Sequence, residues 1–151
     1  MNKPHESQLA STVLMIRPAG FKSNPLTAAS NRFQGQTTAT PAEQQAVALQ
    51  EFDGLVAALR DAGIDVIVVD DTAEPQTPDA IFPNNWISTH ADGRVVLYPM
   101  EAENRRTERR TDVVDMLSRD HGLQVSEVID LSGHEAFGHY LEGTGSMVLD
   151  R

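Results

Sequence analysis

The sequence predicts an α/β fold in which helices pack on short sheets. Two observations point there. A well-punctuated amphipathic helix sits between two apolar runs of strand length, and a second helix between strands follows after a hairpin. The order strand–helix–strand–hairpin–helix–strand reads as two helix-bearing units, 12–69 and 94–131, similar in pattern and without obvious identity.

The elements follow in order. Residues 1–11 are polar and read as a flexible N-terminal tail, with the folded portion beginning at residue 12. Thr12-Val13-Leu14-Met15-Ile16, stopped by Arg17-Pro18, has the continuous apolar character of a strand buried on both faces. Residues 18–40 are rich in Pro, Gly, Asn, Ser and Thr and form a loop too long to be a mere connection. Thr40, Pro41 and Glu43 make a capping box with proline at the first helical position. Ala48, Phe52, Leu55, Val56 and Leu59 then recur at helical spacing, and Gly63 ends the helix. Asp65 to Val69 is a second buried strand, followed by an acidic, proline-containing loop over 70–79. Ile81-Phe82 and Trp86 to Thr89 flank a polar Pro83-Asn84-Asn85 turn. Asp92-Gly93 is a hairpin signal leading into Arg94–Tyr98, which Pro99 stops. The second helix is expected from about Arg105 to His121, with Val113, Val114, Met116 and Leu117 inward and Gly122 closing it. A strand is expected over Val125–Leu131, and Met147-Val148-Leu149 reads as another. A terminal strand with no return implies further polypeptide.

The 151 residues carry a net charge of -10, from 22 acidic and 12 basic side chains. Such a surface repels phosphate backbones, which argues against nucleic acid as a partner. No apolar run approaches the ~20 residues that cross a bilayer, and the first ten residues hold no signal-peptide core, so a cytoplasmic protein without a membrane partner is expected. The absence of cysteine excludes disulfides, thiolate metal sites and a cysteine nucleophile among these residues.

Four segments could carry chemistry. His134-Glu135-Ala136-Phe137-Gly138-His139 resembles a zinc-binding H-E-x-x-H but spaces its histidines by five, roughly 140° apart around a helix. With Gly133 and Gly138 beside them, a polar loop and no metal site are expected. Thr77 to Trp86 brackets Asp79, Asn84 and Asn85 with apolar anchors, which suits either a binding wall or plain turn chemistry. Leu141-Glu142-Gly143-Thr144-Gly145-Ser146 sets a carboxylate beside two glycines, which permit close backbone approach or a positive φ. Arg105-Arg106 place positive charge at the expected helix start, against the macrodipole. Either an anionic ligand or Glu101, Glu103 and Glu108 must compensate.

Taken together, Pro78-Asp79-x-x-Phe82 through Asn85, Arg105-Arg106-x-Glu108 and Leu141-Glu142-Gly143, with the earlier Arg17-Pro18, Asn24-Pro25 and Ser30 to Gln34, resemble the pentein superfamily of guanidino-group-modifying enzymes. The match runs from about residue 12 onward, in family order. It is nearest to the arginine deiminase, dimethylarginine dimethylaminohydrolase and citrulline-hydrolase-like members, and covers their N-terminal half. The resemblance implies part of a five-bladed α/β propeller with mixed sheets and helices outside. It implies hydrolysis of a non-peptide C–N bond in a citrulline or arginine derivative, with a small amino acid as partner and no cofactor. Asp79 is similar to the aspartate that holds the substrate α-ammonium, and Asn84 and Asn85 fall where relatives place carboxylates on the guanidinium. Arg106, or alternatively Arg105, matches an arginine that meets the substrate carboxylate, and Glu142 matches the acid of the Glu/Asp-His-Cys catalytic group. The family's histidine and cysteine would lie further along, so the chain by itself is expected to be inactive. Its uncovered strand faces are expected to favour self-association. Amides at 84 and 85 lean toward a neutral ureido group, since an amide offers donor and acceptor without charge. An amidinotransferase relative and a non-catalytic binding module are the alternatives.

Overall fold

The computed structural model describes residues 9–28, 31, 35 and 37–147. β1 (Thr12–Arg17) passes through the long loop to α1 (Pro41–Asp61) and returns as β2 (Asp65–Asp70). The two strands are parallel, in register from Thr12 against Asp65 to Arg17 against Asp70. Side chains alternate across this sheet. Val13, Met15, Val66 and Val68 pack beneath Phe52, Val56 and Leu59 of α1. Leu14, Ile67 and Val69 face the opposite way, into the main core. Coverage of both faces is why these strands read as unbroken apolar runs.

The capping box forms as expected. The Thr40 hydroxyl accepts from Glu43 N at 3.3 Å, and Thr40 N donates to the Glu43 carboxylate at 2.7 Å. The apolar stripe of α1 is narrower than its spacing suggests. Leu55 is 53% exposed, because a two-stranded sheet is wide enough only for the Phe52–Val56–Leu59 line. Leu55 and Val47 instead border an open groove shared with Phe21 and Phe82.

The second unit is also β–α–β. β3 (Ile87–Thr89) and β4 (Arg94–Leu97) form the expected antiparallel hairpin, and β4 pairs in parallel with β5 (Glu127–Asp130) across α2 (Thr111–His121), in sheet order β3-β4-β5. Trp86 and Met100, 1% and 0% exposed, sit at the centre of a core completed by Ile67, Val95, Leu97, Val113 and Leu117. Gly122 closes α2 in the left-handed region at φ 71°.

Three expectations are corrected. α2 begins at Thr111, not Arg105. Residues Glu103–Glu108 form a separate 3-10 turn, and Arg109-Arg110 are extended. The tighter turn brings Glu108 under Arg105, and the extended break lets Arg109 reach the Tyr98 carbonyl and Glu135. β5 is shorter than Val125–Leu131. The segment Ser132–Phe137 is a 3-10 turn and not an irregular loop, started by Ser132 N on the Asp130 carboxylate and ended by Gly138 at φ 69°. The strand expected at Met147–Leu149 lies largely outside the described residues, as do most of the tail over 1–11 and Arg32 to Gln34. Among the described residues no helix is long and apolar enough to cross a membrane.

Candidate functional site

Four segments far apart in sequence meet at one cavity of about 860 Å³. The turn after β2 supplies Asp79 and Phe82, the 3-10 turn Pro83–Asn85 supplies Asn85, and the turn after β4 supplies Glu101 to Glu103 and Arg105. The segment beyond β5 supplies Glu142, Gly145 and Ser146, and Leu26, Thr27 and Asn31 of the long loop complete the wall.

Arg105 organises the floor. Its side chain is 7% exposed, and its guanidinium holds Glu108 through Nε at 3.1 Å and Nη2 at 3.0 Å. Nη2 also donates to Asn85 Oδ1 at 3.2 Å, Nη1 pairs with Glu142 Oε2 at 3.5 Å, and Nε lies 3.7 Å from Asp79 Oδ2. A planar fork with five N–H donors can serve this many acceptors at once, which an ammonium could not. The compensation expected for Arg105 thus comes from the chain itself. Glu108, its closest partner, is almost wholly buried. Burial pushes its carboxyl up to about 7, against the opposing pull of the Arg105 hydrogen bonds and with help from the charges of Asp79 and Asp71.

Asn85 is fixed at both ends of its amide, with Oδ1 on Arg105 and Nδ2 on the Glu142 carbonyl at 3.3 Å. The Glu142 carboxylate accepts from Glu101 N at 3.2 Å and keeps 25% of its side chain exposed to the cavity. The Gly143–Ser146 segment is a short helix, α3. It packs directly on Asn84 and Asn85. Gly143 is at φ 42°, and a Cβ there would stand 2.3 Å from the Asn84 carbonyl, while one at Gly145 would stand 2.2 Å from Asn85 Nδ2. Gly143 therefore serves close approach of one backbone to another, and Gly145 leaves room for the Asn85 side chain.

The cavity joins Asp79, Asn85, Arg105 and Glu142 and leaves out Asn84 and Arg106. Asn84 bonds to the Thr144 hydroxyl at 3.1 Å. Arg106 donates to the carbonyls of Met100 and Glu101, approaches Glu135 at 3.4 Å and lies over the Tyr140 ring. Glu135, read in the sequence only as part of a histidine motif, bonds to Met100 N, Arg106 and Arg109 and ties its turn to the arginine segment. His134 and His139 have ring centroids 6.1 Å apart. Among the described residues no group of three or more histidines and carboxylates could hold a metal. Asn24 donates to Asp79 and is itself held by Asn104, and neither contact is visible in the sequence, where an Asn-Pro pair in a loop gives no signal beyond turn formation.

A family model described as "N,N dimethylarginine dimethylhydrolase, eukaryotic" matches residues 17–151. No curated protein matches the chain. Among solved structures, the chain is similar to a cysteine-to-serine mutant of a dimethylarginine dimethylaminohydrolase from Pseudomonas aeruginosa, complexed with citrulline. The two are 18% identical with a TM-score of 0.51, over 79% of this chain and 40% of that one. A dimethylarginine dimethylaminohydrolase adduct with S-methyl-L-thiocitrulline, in a histidine-to-glycine variant, is 17% identical with a TM-score of 0.53, over 81% of this chain and 42% of that one. An adduct with 4-chloro-2-hydroxymethylpyridine gives 16% and 0.53, over 82% and 41%. The chain thus spans about two fifths of the length of the structures it matches.

Proposed function

This chain belongs to the N,N-dimethylarginine dimethylhydrolase family of the pentein superfamily, and from that premise we propose that it carries the amino-acid-binding part of a hydrolase. The bond attacked is the C–N bond of a ureido or guanidino amino acid, in the setting of a five-bladed α/β propeller. The observation that supports this most is the convergence of Asp79, Asn85, Arg105 and Glu142, from three segments far apart in sequence, on one cavity.

In this reading Asp79 takes the ligand's α-ammonium by a charge-assisted bond. Arg105 meets its carboxylate through Nη1, the end of the fork least committed to Glu108. Glu142 faces the reacting end, where it supports the protonated histidine or the ligand nitrogen. The hydrolysis itself follows the nucleophilic course of the family: a thiolate adds to the ureido or guanidino carbon, a histidine protonates the leaving amine, and water releases the covalent intermediate. The chain has no cysteine, so these residues bind and orient, and the chain alone does not turn over. A neutral ureido end is favoured over guanidinium, because the Asn85 amide at the cavity offers a donor and an acceptor without the charge that would pair with a cation.

The test is titration of the isolated chain with L-citrulline and L-arginine by NMR and calorimetry, together with a product assay. Saturable shifts at Asp79, Asn85 and Glu142, tighter for citrulline and without product, are expected. Absence of shifts at those residues, or ornithine or citrulline formed above a no-protein control, overturns the proposal.

A further inference from the structure

Asn24 is 0% exposed, although it belongs to the polar loop after β1. Its Oδ1 accepts from Leu26 N at 3.1 Å and from Asn104 Nδ2 at 2.9 Å. Because a backbone N–H can only donate, the first of these contacts fixes which end of the amide is oxygen. Nδ2 is thereby turned to Asp79 Oδ2, at 2.6 Å, across 55 positions of sequence. The same Oδ2 is the oxygen nearest Arg105 Nε, at 3.7 Å. Oδ1 of Asp79 takes no hydrogen bond among the described residues, and Asp79 lines the cavity. One carboxylate oxygen is anchored and the other is available.

We infer that Asn24 is a positioning residue, whose buried amide holds Asp79 Oδ2 and so presents Oδ1 to a cationic amino group of a ligand in the cavity. The inference rests on the reading of Asp79 as a ligand group. The chemistry requires an amide at this position. Position 24 must accept from Leu26 and Asn104 and donate to Asp79 from one short, planar, two-headed group. Aspartate keeps both acceptor contacts and sets acceptor against acceptor at Asp79. Leucine keeps the volume and removes the partner of Leu26 N, Asn104 Nδ2 and Asp79 Oδ2. An anchored carboxylate also binds better than a rotating one, since its orientation is settled before the ligand arrives. The long loop thereby contributes to the site through its buried end as well as through the wall formed by Leu26 and Thr27.

The experiment uses the whole chain with L-citrulline as probe, and compares wild type, Asn24→Asp, and the exchange Asn24→Asp with Asp79→Asn. The exchange restores a donor–acceptor pair while moving the charge away from the cavity. Asn24→Asp is expected to weaken citrulline binding tenfold or more. The exchange is expected to recover the melting temperature lost by Asn24→Asp but not the affinity. An exchange that recovers affinity together with the melting temperature shows that the ligand does not read the charge at position 79, and that result overturns the inference, as does wild-type affinity in Asn24→Asp. If wild type binds neither L-citrulline nor L-arginine, the amino-acid reading fails by itself. Asn24 is then judged by the 13C resonance of the Asp79 carboxyl. Its displacement in Asn24→Asp supports the clamp, and an unmoved resonance removes it.

Discussion

Gly143 and Gly122 both have positive φ, 42° and 71°, but their surroundings differ completely. A Cβ on Gly122 meets nothing within 4 Å, whereas a Cβ on Gly143 meets the Asn84 carbonyl at 2.3 Å, the Asn85 carbonyl at 3.1 Å and the Tyr98 ring at 3.2 Å. Gly122→Ala therefore isolates the conformational penalty, about 1 kcal/mol. Gly143→Ala adds a clash with backbone, which cannot rotate out of the way as a side chain would. Overpacking of this kind costs about 1–3 kcal/mol more, for a total of about 2–4 kcal/mol. In a chain of this length 1 kcal/mol moves the melting temperature by roughly 2–4 °C. Gly122→Ala should then melt roughly 2–4 °C lower and Gly143→Ala roughly 4–16 °C lower, with matching shifts of the urea midpoint. Gly143→Ala should also disturb the amide resonances of Asn84 and Asn85, since relief of the clash pulls the Glu142 carbonyl from Asn85 Nδ2. Equal destabilisation by the two substitutions would show that the Gly143 turn does not press on the Asn84-Asn85 backbone, and the packing described for the site would be wrong.

Three further outcomes are expected. Glu108 is raised from 4.5 to about 7, so the native state holds this proton where the unfolded chain has lost it. Its contribution is full below about pH 4.5 and falls as pH rises through about 7, by about 3 kcal/mol in all. Glu108→Gln should remove that fall, and identical pH dependence of the urea midpoints of wild type and variant from pH 5 to 8 would contradict it. Arg105→Ala leaves Glu108 buried without its partner and should cost about 3–5 kcal/mol, while Arg105→Leu with Glu108→Leu should recover most of that loss; a double variant no more stable than Arg105→Ala refutes the pairing. Thr40→Ala removes the cap of α1 and should cost about 1 kcal/mol, and a melt unchanged from wild type would show that the capping box contributes nothing.

The fold was legible where local rules and burial agreed. Thr40-Pro41-x-Glu43 started α1, Asp92-Gly93 turned the hairpin and Gly122 stopped α2, because each acts through its own backbone neighbours. The start of α2 was not legible. Arg105, Arg106 and Glu108 are good helix formers, and nothing local marks the break at Arg109-Arg110. What breaks the helix there is distant, since Arg109 reaches Glu135 and Arg105 reaches Asn85 and Glu142. Leu55 misled for a related reason, as helical spacing reports an apolar stripe but not the width of the sheet beneath it. Of the six residues that the family resemblance singles out, the cavity joins Asp79, Asn85, Arg105 and Glu142, while Asn84 and Arg106 lie outside its lining. Neighbours in a turn diverge, and sequence does not say which of a pair faces the cavity. Asn24 was beyond reach, because its partners lie 55 and 80 positions away.

The meeting of these residues follows from strand direction. β1 and β2 run in parallel and end together at Arg17 and Asp70, and β4 and β5 do the same at Leu97 and Asp130. β3 runs against β4, so its beginning, Ile87, pairs with the end of β4. Every polar residue of the site leaves from one of these ends. Asn24 follows β1, Asp79 follows β2, Asn85 precedes β3, Arg105 follows β4 and Glu142 follows β5. The carboxyl ends of parallel strands are where α/β sheets place their ligands, because the connecting segments there are free to vary while the strands hold their roots. The strands themselves supply apolar residues to the two cores and none of the site's charges. An internal arginine then solves the remaining electrostatic difficulty. Three carboxylates brought this close would repel one another, and Arg105 touches all three, Asp79, Glu108 and Glu142. The fold that gathers the acidic groups thus depends on the cation among them. Loss of Arg105 should loosen the site before it loosens the cores, because Ile67, Trp86, Val95 and Val113 pack without it.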